Sequence, residues 1–168
     1  MAEQDRLQPS LLDRLTDEEP ESRQESRDKR VMSFRRLREA VIRDLGWLLN
    51  TAPLSSDMDL DPYPETSGSV LNFGLMPFAG RSVSGIDVQG LERLIRQTIS
   101  TFEPRILKNS LKVRVVVSED RMDRNALTFR IEGELWAQPT PMRLLLQGEV
   151  DLESGKVALS EQGGRGAP

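Results

Sequence analysis

The sequence predicts an α+β fold in which two amphipathic helices cover one face of a small, mostly antiparallel β-sheet, with a flexible N-terminal arm. Two stretches with apolar residues at steps of three and four, at 33–50 and 87–102, supply the helices. After residue 110 the apolar period changes to two, broken only by turns, and this supplies the sheet. At 168 residues and 37% hydrophobic content the chain can bury one ordinary core. One domain is therefore expected over 31–160, between a flexible arm at 1–30 and a disordered tail at 161–168.

The arm carries a short amphipathic docking segment at 9–15, in which Leu11, Leu12 and Leu15 can share one helical face. It is too short to hold as a helix alone, so it must dock on its own domain or on another chain. From Asp13 to Arg30 the only aliphatic side chain is Leu15, and acids and bases alternate densely, as in a linker.

Ser33 is placed to cap the first long helix, whose stripe is Phe34, Leu37, Val41, Leu45 and Leu48, widened by Ile42 and Leu49. Asn50 and Pro53 stop it, Asn because it tolerates left-handed angles. Trp47 falls beside the stripe and is expected at the core edge. Residues 51–68 read as a polar loop. Asp57, Asp59 and Asp61 alternate like the start of a calcium loop, but Pro62 replaces the turn glycine and Gly68 stands where the bidentate Glu belongs. Ser69–Leu75 is short, apolar and flanked by glycine, which predicts a strand or tight extended segment. Gly80, Gly85 and Gly90 lack the spacing of a phosphate-cradling loop. Asp87 is expected to cap the second helix, with Val88, Leu91, Leu94, Ile95, Ile99 and Phe102 on its buried stripe.

Leu111, Val113, Val115 and Val117 alternate with polar residues as a first strand, and the polar run Glu119–Asn125 connects it to the next. Leu127, Phe129, Ile131 and Leu135 make a second strand, and Pro139-Thr140-Pro141 the following turn. Met142, Leu144, Leu146, Val150 and Leu152 make a third, and Val157–Leu159 a short fourth. Gly133 and Gly148 inside strands predict bulges or a close approach by another backbone. Such a meander leaves an edge strand available for strand addition.

Composition removes whole classes of function. There is no cysteine, which excludes disulfides, thiolate metal sites and cysteine nucleophiles, and no histidine, the commonest general base and metal ligand. The net charge of −4, with no basic block interleaved with aromatics, argues against a nucleic-acid surface. No apolar run reaches the about 18–20 residues that span a bilayer, and the N-terminus lacks a secretory pattern, so an intracellular protein with no membrane insertion is expected. No cofactor or metal is called for.

The candidate site is Glu103-Pro104-Arg105, at the junction of helix and sheet. Pro104 ends the helix, which leaves Glu103 at a C-terminus whose partial negative charge disfavours a carboxylate by about 0.3–1 kcal/mol. Arg105, or a basic group on a partner, would offset that cost; alternatively the turn is a helix stop flanked by two solvated charges.

Three stretches occur in a specific order: Arg43–Thr51, Ser69–Leu75, and Phe102–Ile106 followed by the valine strand. Together with the Leu11–Leu15 island they resemble the TssE family, the small baseplate subunit of the bacterial type VI secretion system, related to the baseplate wedge protein of contractile phage tails. The resemblance covers roughly 9–160. It implies a non-enzymatic structural subunit of the wedge that binds the TssF and TssG scaffold. It also implies a sheet edge that templates the contractile sheath of TssB and TssC by strand exchange. The implied location is the bacterial cytoplasm, in a baseplate docked at the inner membrane complex. The motif implies wedge contacts at Glu103, Pro104 and Arg105, and the island implies them at Leu11, Leu12 and Leu15.

Two other classes fit less well. A peptidoglycan muramidase needs two facing carboxylates and an aromatic sugar cleft. Glu103 beside Arg105 is a poor proton donor, and aromatic content is 5%. A soluble adaptor that sequesters another protein shares the fold, but the intact Glu-Pro-Arg triplet and the leucine island favour the baseplate.

Overall fold

A computed structural model of the chain describes residues 10–16, 21, 33–77, 87–116, 126–137 and 140–162. Its helices are α1 (Leu11–Leu15), α2 (Phe34–Asn50), α3 (Pro64–Ser67) and α4 (Val88–Phe102). Its strands are β1 (Lys112–Val116), β2 (Ala126–Leu135), β3 (Met142–Asp151) and β4 (Val157–Glu161). Most of the expected N-terminal arm, the connection at 119–125 and the C-terminal glycines lie outside the described residues.

The strands form one sheet in the order β1-β2-β3-β4, and every pairing is antiparallel. Alternation sends Leu127, Phe129, Ile131, Leu135, Leu144, Leu146 and Val150 to one buried face. α2 and α4 cover that face, α4 packing against β1 and α2 against β4. α2 contributes Leu37, Val41, Leu45, Leu48 and Leu49 to the core, and α4 contributes Leu91, Ile95 and Ile99, the stripes that the 3.6-residue period requires.

The helix ends are made differently. Ser33 caps α2 with its hydroxyl oxygen, which accepts from Arg36 N at 3.2 Å. Asp87 stands at the N-cap of α4, but its side chain makes no cap hydrogen bond and lies 3.7 Å from Arg93 instead. Asn50 ends α2 without left-handed geometry, since no described residue but glycine has positive φ. Its amide reaches the sheet: Nδ2 donates to Val157 O, and Val157 N donates to Oδ1, both at 2.9 Å.

Those two bonds matter because Val157 lies on the outer side of an edge strand. Lys156 and Gln162 pair inward with β3, so alternation turns Val157, Leu159 and Glu161 outward. Asn50 closes the first of these; the backbone groups of Leu159 and Glu161 face away from β3. Arg38 of α2 holds the end of the same strand, with Nη1 donating to the Glu161 carboxylate at 2.6 Å. At the opposite edge Glu92 of α4 accepts from Val115 N at 2.9 Å, which blunts β1.

Neither strand glycine is a bulge, since β2 and β3 pair without interruption from Ala126↔Asp151 to Leu135↔Met142. The close approach at Gly148 is by a side chain, not a backbone. The ring of Phe129, its cross-strand partner, occupies the space a Cβ would need, with Cζ 2.2 Å from that position.

Ser69–Leu75 is not a strand. Val70–Asn72 forms a single 3-10 turn, because Ser69 Oγ accepts from Leu71 N at 3.3 Å and Phe73 N closes onto Val70 O at 3.2 Å. Phe73 then packs edge-on against Phe102, with centroids 5.5 Å apart. Gly74, at φ +144°, brings the chain back so that Leu75 N donates to Thr51 O at 2.8 Å.

Candidate functional site

The site starts at the last turn of α4. Glu103 N donates to Ile99 O at 2.8 Å, Pro104 ends the helix, and Ile106 is drawn into the core by an isolated bridge to Leu135. With the chain fixed on both sides of the proline, Glu103 and Arg105 fall on the same side of the turn. Glu103 Oε1 accepts from Arg105 N at 3.1 Å and from Arg105 Nε at 2.7 Å, while Oε2 accepts from Nη2 at 2.5 Å. The Glu103 side chain is 4% exposed, so the pair is not two solvated charges. Arg105 itself provides the cation that a carboxylate at a helix C-terminus needs.

Arg105 also joins this turn to α2. Its Nη2 donates to Asp44 Oδ2 at 2.6 Å. Asp44 Oδ1 accepts from Arg43 Nε at 2.9 Å, and Arg43 Nη1 donates to Asp13 Oδ1 of α1 at 2.8 Å. Glu103, Arg105, Asp44, Arg43 and Asp13 thus form one alternating line of charge that links three helices. Burial alone would lower the affinity of the Arg105 guanidinium for its proton; hydrogen bonds and charge from Glu103 and Asp44 outweigh it and hold the group above the ordinary arginine range. Arg105 Nη1 is enclosed and meets no acceptor among the described residues.

α1 sits on this line by its polar side. Ser10 caps it, its hydroxyl oxygen accepting from Asp13 N at 3.3 Å while the hydroxyl donates to Asp13 Oδ2 at 2.6 Å, and Asp13 faces Arg43. The three leucines point away: Leu11 is 72% and Leu15 74% exposed, with Leu12 also exposed. Of the six predicted site residues, Glu103 and Arg105 are therefore turned into the domain, while Pro104, Leu11, Leu12 and Leu15 are presented to solvent or nearly so.

Two tryptophans join the surface, and both are about half exposed. The Arg43 guanidinium lies 5.1 Å from the Trp47 ring centroid, a cation–π contact, so Trp47 is not a plain core-edge residue. Trp136 N donates to Arg105 O at 2.7 Å, which ties the chain at Trp136 to the turn. The sequence reading passes over Trp136, and its only signal is an aromatic at the end of a strand whose next turn is proline-rich.

The Asp13 carboxyl is held below its usual value. Burial pushes it up, but hydrogen bonds from Ser10 and Arg43, with the Arg43 charge, outweigh that. A value lowered in the docked state means that docking of α1 gains stability above the undocked value of 3.8 and loses it as pH falls through the lowered one. We expect the amide resonances of α1 to move to random-coil positions on titration from about pH 6 to about pH 2, with Asp13→Asn removing the transition. Resonances of α1 that stay in place throughout would show that this ion pair does not hold the segment.

Among the described residues no cluster of three or more carboxylates could hold a metal, and no helix is long and apolar enough to cross a membrane. What the surface offers is exposed apolar side chains beside a fixed line of charge. The sequence matches the profile of the family described as baseplate wedge protein gp25 over residues 35–140. The chain belongs to this baseplate wedge family. The wedge-family match runs from α2 to the turn before β3, so it takes in Asp44, the Glu-Pro-Arg turn and both tryptophans. α1, β3 and β4 lie outside it. Neither a curated protein nor a solved structure matches the chain. At family level, this is a structural protein of a baseplate wedge.

Proposed function

We propose that this wedge-family chain is the TssE-like subunit of a type VI secretion baseplate, a non-enzymatic part that binds TssF and TssG and starts the TssB/TssC sheath from its sheet edge. The observation that carries the reading is α1, which is fastened to the body by Asp13 and turns its leucines outward. A helix that served only its own domain would bury that face. The wedge contacts are then Leu11, Leu12 and Leu15 together with Pro104, Trp47 and Trp136, with Glu103 and Arg105 holding the turn in shape. For the sheath, the outward backbone groups of Leu159 and Glu161 on β4 are the edge offered, beyond the position at Val157 that Asn50 occupies. The assembly belongs in the bacterial cytoplasm.

The test is co-expression with TssF, TssG and sheath subunits. Leu11→Ser/Leu12→Ser/Leu15→Ser should keep its thermal transition and lose most co-purification with TssF and TssG. Leu159→Pro, which removes an outward donor from an edge strand, should keep wedge binding and stop sheath growth. Full wedge binding by the triple variant would overturn the first assignment, and normal sheath growth by Leu159→Pro the second.

A further inference from the structure

The loop between α2 and α4 displays an apolar pair that the core does not use. Val70 is 82% and Leu71 69% exposed, although Phe73 and Leu75 just beyond them pack inward. The pair is held firmly. Asn72 Oδ1 accepts from Ser55 N and Asn72 Nδ2 donates to Ser67 O, both at 2.9 Å, while Ser69 Oγ donates to Thr66 O at 2.9 Å. These bonds tie the turn to the Leu54–Ser56 3-10 turn and to α3, so the side chains are presented with little conformational freedom left to lose on binding.

The described loop carries one sign of charge. Residues 51–77 contain Asp57, Asp59, Asp61 and Glu65 and no lysine or arginine. Asp57 caps the 3-10 turn that packs against Val70–Asn72, and Glu65 lies in α3, which packs there too. All four are exposed. An anionic membrane or a nucleic acid is repelled by such a rim; a cationic segment with an apolar face is attracted.

We propose that the Val70–Leu71 turn is a second docking surface, which takes a basic amphipathic segment of another protein chain. Val70 and Leu71 fill the apolar face of that segment, and the carboxylates of the loop meet its lysines or arginines. The proposal does not depend on the assignment made for the Glu-Pro-Arg surface.

The probe is a fluorescent amphipathic peptide of leucine and lysine, titrated with the full chain and followed by anisotropy, beside a peptide in which glutamate replaces lysine. The lysine peptide should bind and the glutamate peptide should not. Val70→Ser/Leu71→Ser should weaken binding by about tenfold or more, and Val116→Ser, an exposed apolar position on β1, should leave it unchanged. Asp61→Asn/Glu65→Gln should weaken it and flatten its salt dependence. Circular dichroism confirms that each variant is folded. Equal binding of both peptides, or equal losses in the loop and β1 variants, would overturn the proposal. So would self-association of the chain that the loop variant abolishes, since a second copy would then be the occupant.

Discussion

Arg105→Ala should lower the stability of the isolated domain by about 3 kcal/mol, or about 10 °C in melting temperature. The reason is asymmetric. Removing the guanidinium strips the Glu103 carboxylate of two side-chain hydrogen bonds while it stays almost fully buried at the negative end of α4. It also frees Asp44 from its contact across the helix pair. Replacing both charges by apolar groups of similar size, as in Glu103→Leu/Arg105→Met, should recover much of the loss, because no buried charge is then left alone. Differential scanning calorimetry of the two variants makes the comparison. An Arg105→Ala protein that melts with the parent would mean that the pair contributes nothing internally. The double variant then becomes the tool for asking what partners read, since it keeps the turn and removes its charge.

Gly74→Ala should cost a comparable about 3 kcal/mol or more, and here no side chain can move aside. A Cβ at Gly74 would lie 2.3 Å from Thr51 O and 2.8 Å from Pro53 N, both backbone atoms, at a φ of +144° that L-residues avoid. Relief requires opening the Leu75–Thr51 hydrogen bond, which releases Leu75 and Phe73 from the core. Chemical denaturation should show a lower midpoint with a similar slope, since the sheet is untouched. Parent-like stability would show that the loop closure is loose in solution.

What the sequence makes legible is whatever is written in local period. The stripes of α2 and α4 and the alternation from Leu127 to Val150 each repeat often enough to fix a face; the faces are as read, but Phe34 at the start of α2 is exposed, and Ile42, Val88, Leu94 and Phe102 are only half-buried. Ser69–Leu75 misled because a short apolar run between glycines carries no period, and the Ser69 cap decided for a turn. The pairings that build the site are not local. Asp44 and Arg105 stand 61 residues apart, and Asn50 and Val157 107 apart, so nothing in either neighbourhood announces the other. Glu103 and Arg105 were legible as a pair but not as a buried one, because burial depends on α2 arriving over the turn.

The two plugs on the sheet margins, Asn50 and Glu92, have a bearing on solubility. A sheet that stacks indefinitely with copies of itself must offer hydrogen-bonding frontage on both flanks. Among the described residues each flank is interrupted by a side chain, Asn50 at Val157 and Glu92 at Val115, and Glu161 adds a carboxylate at the end of β4. An added strand can therefore pair along only part of either margin, which shortens the frontage that repeated self-stacking needs.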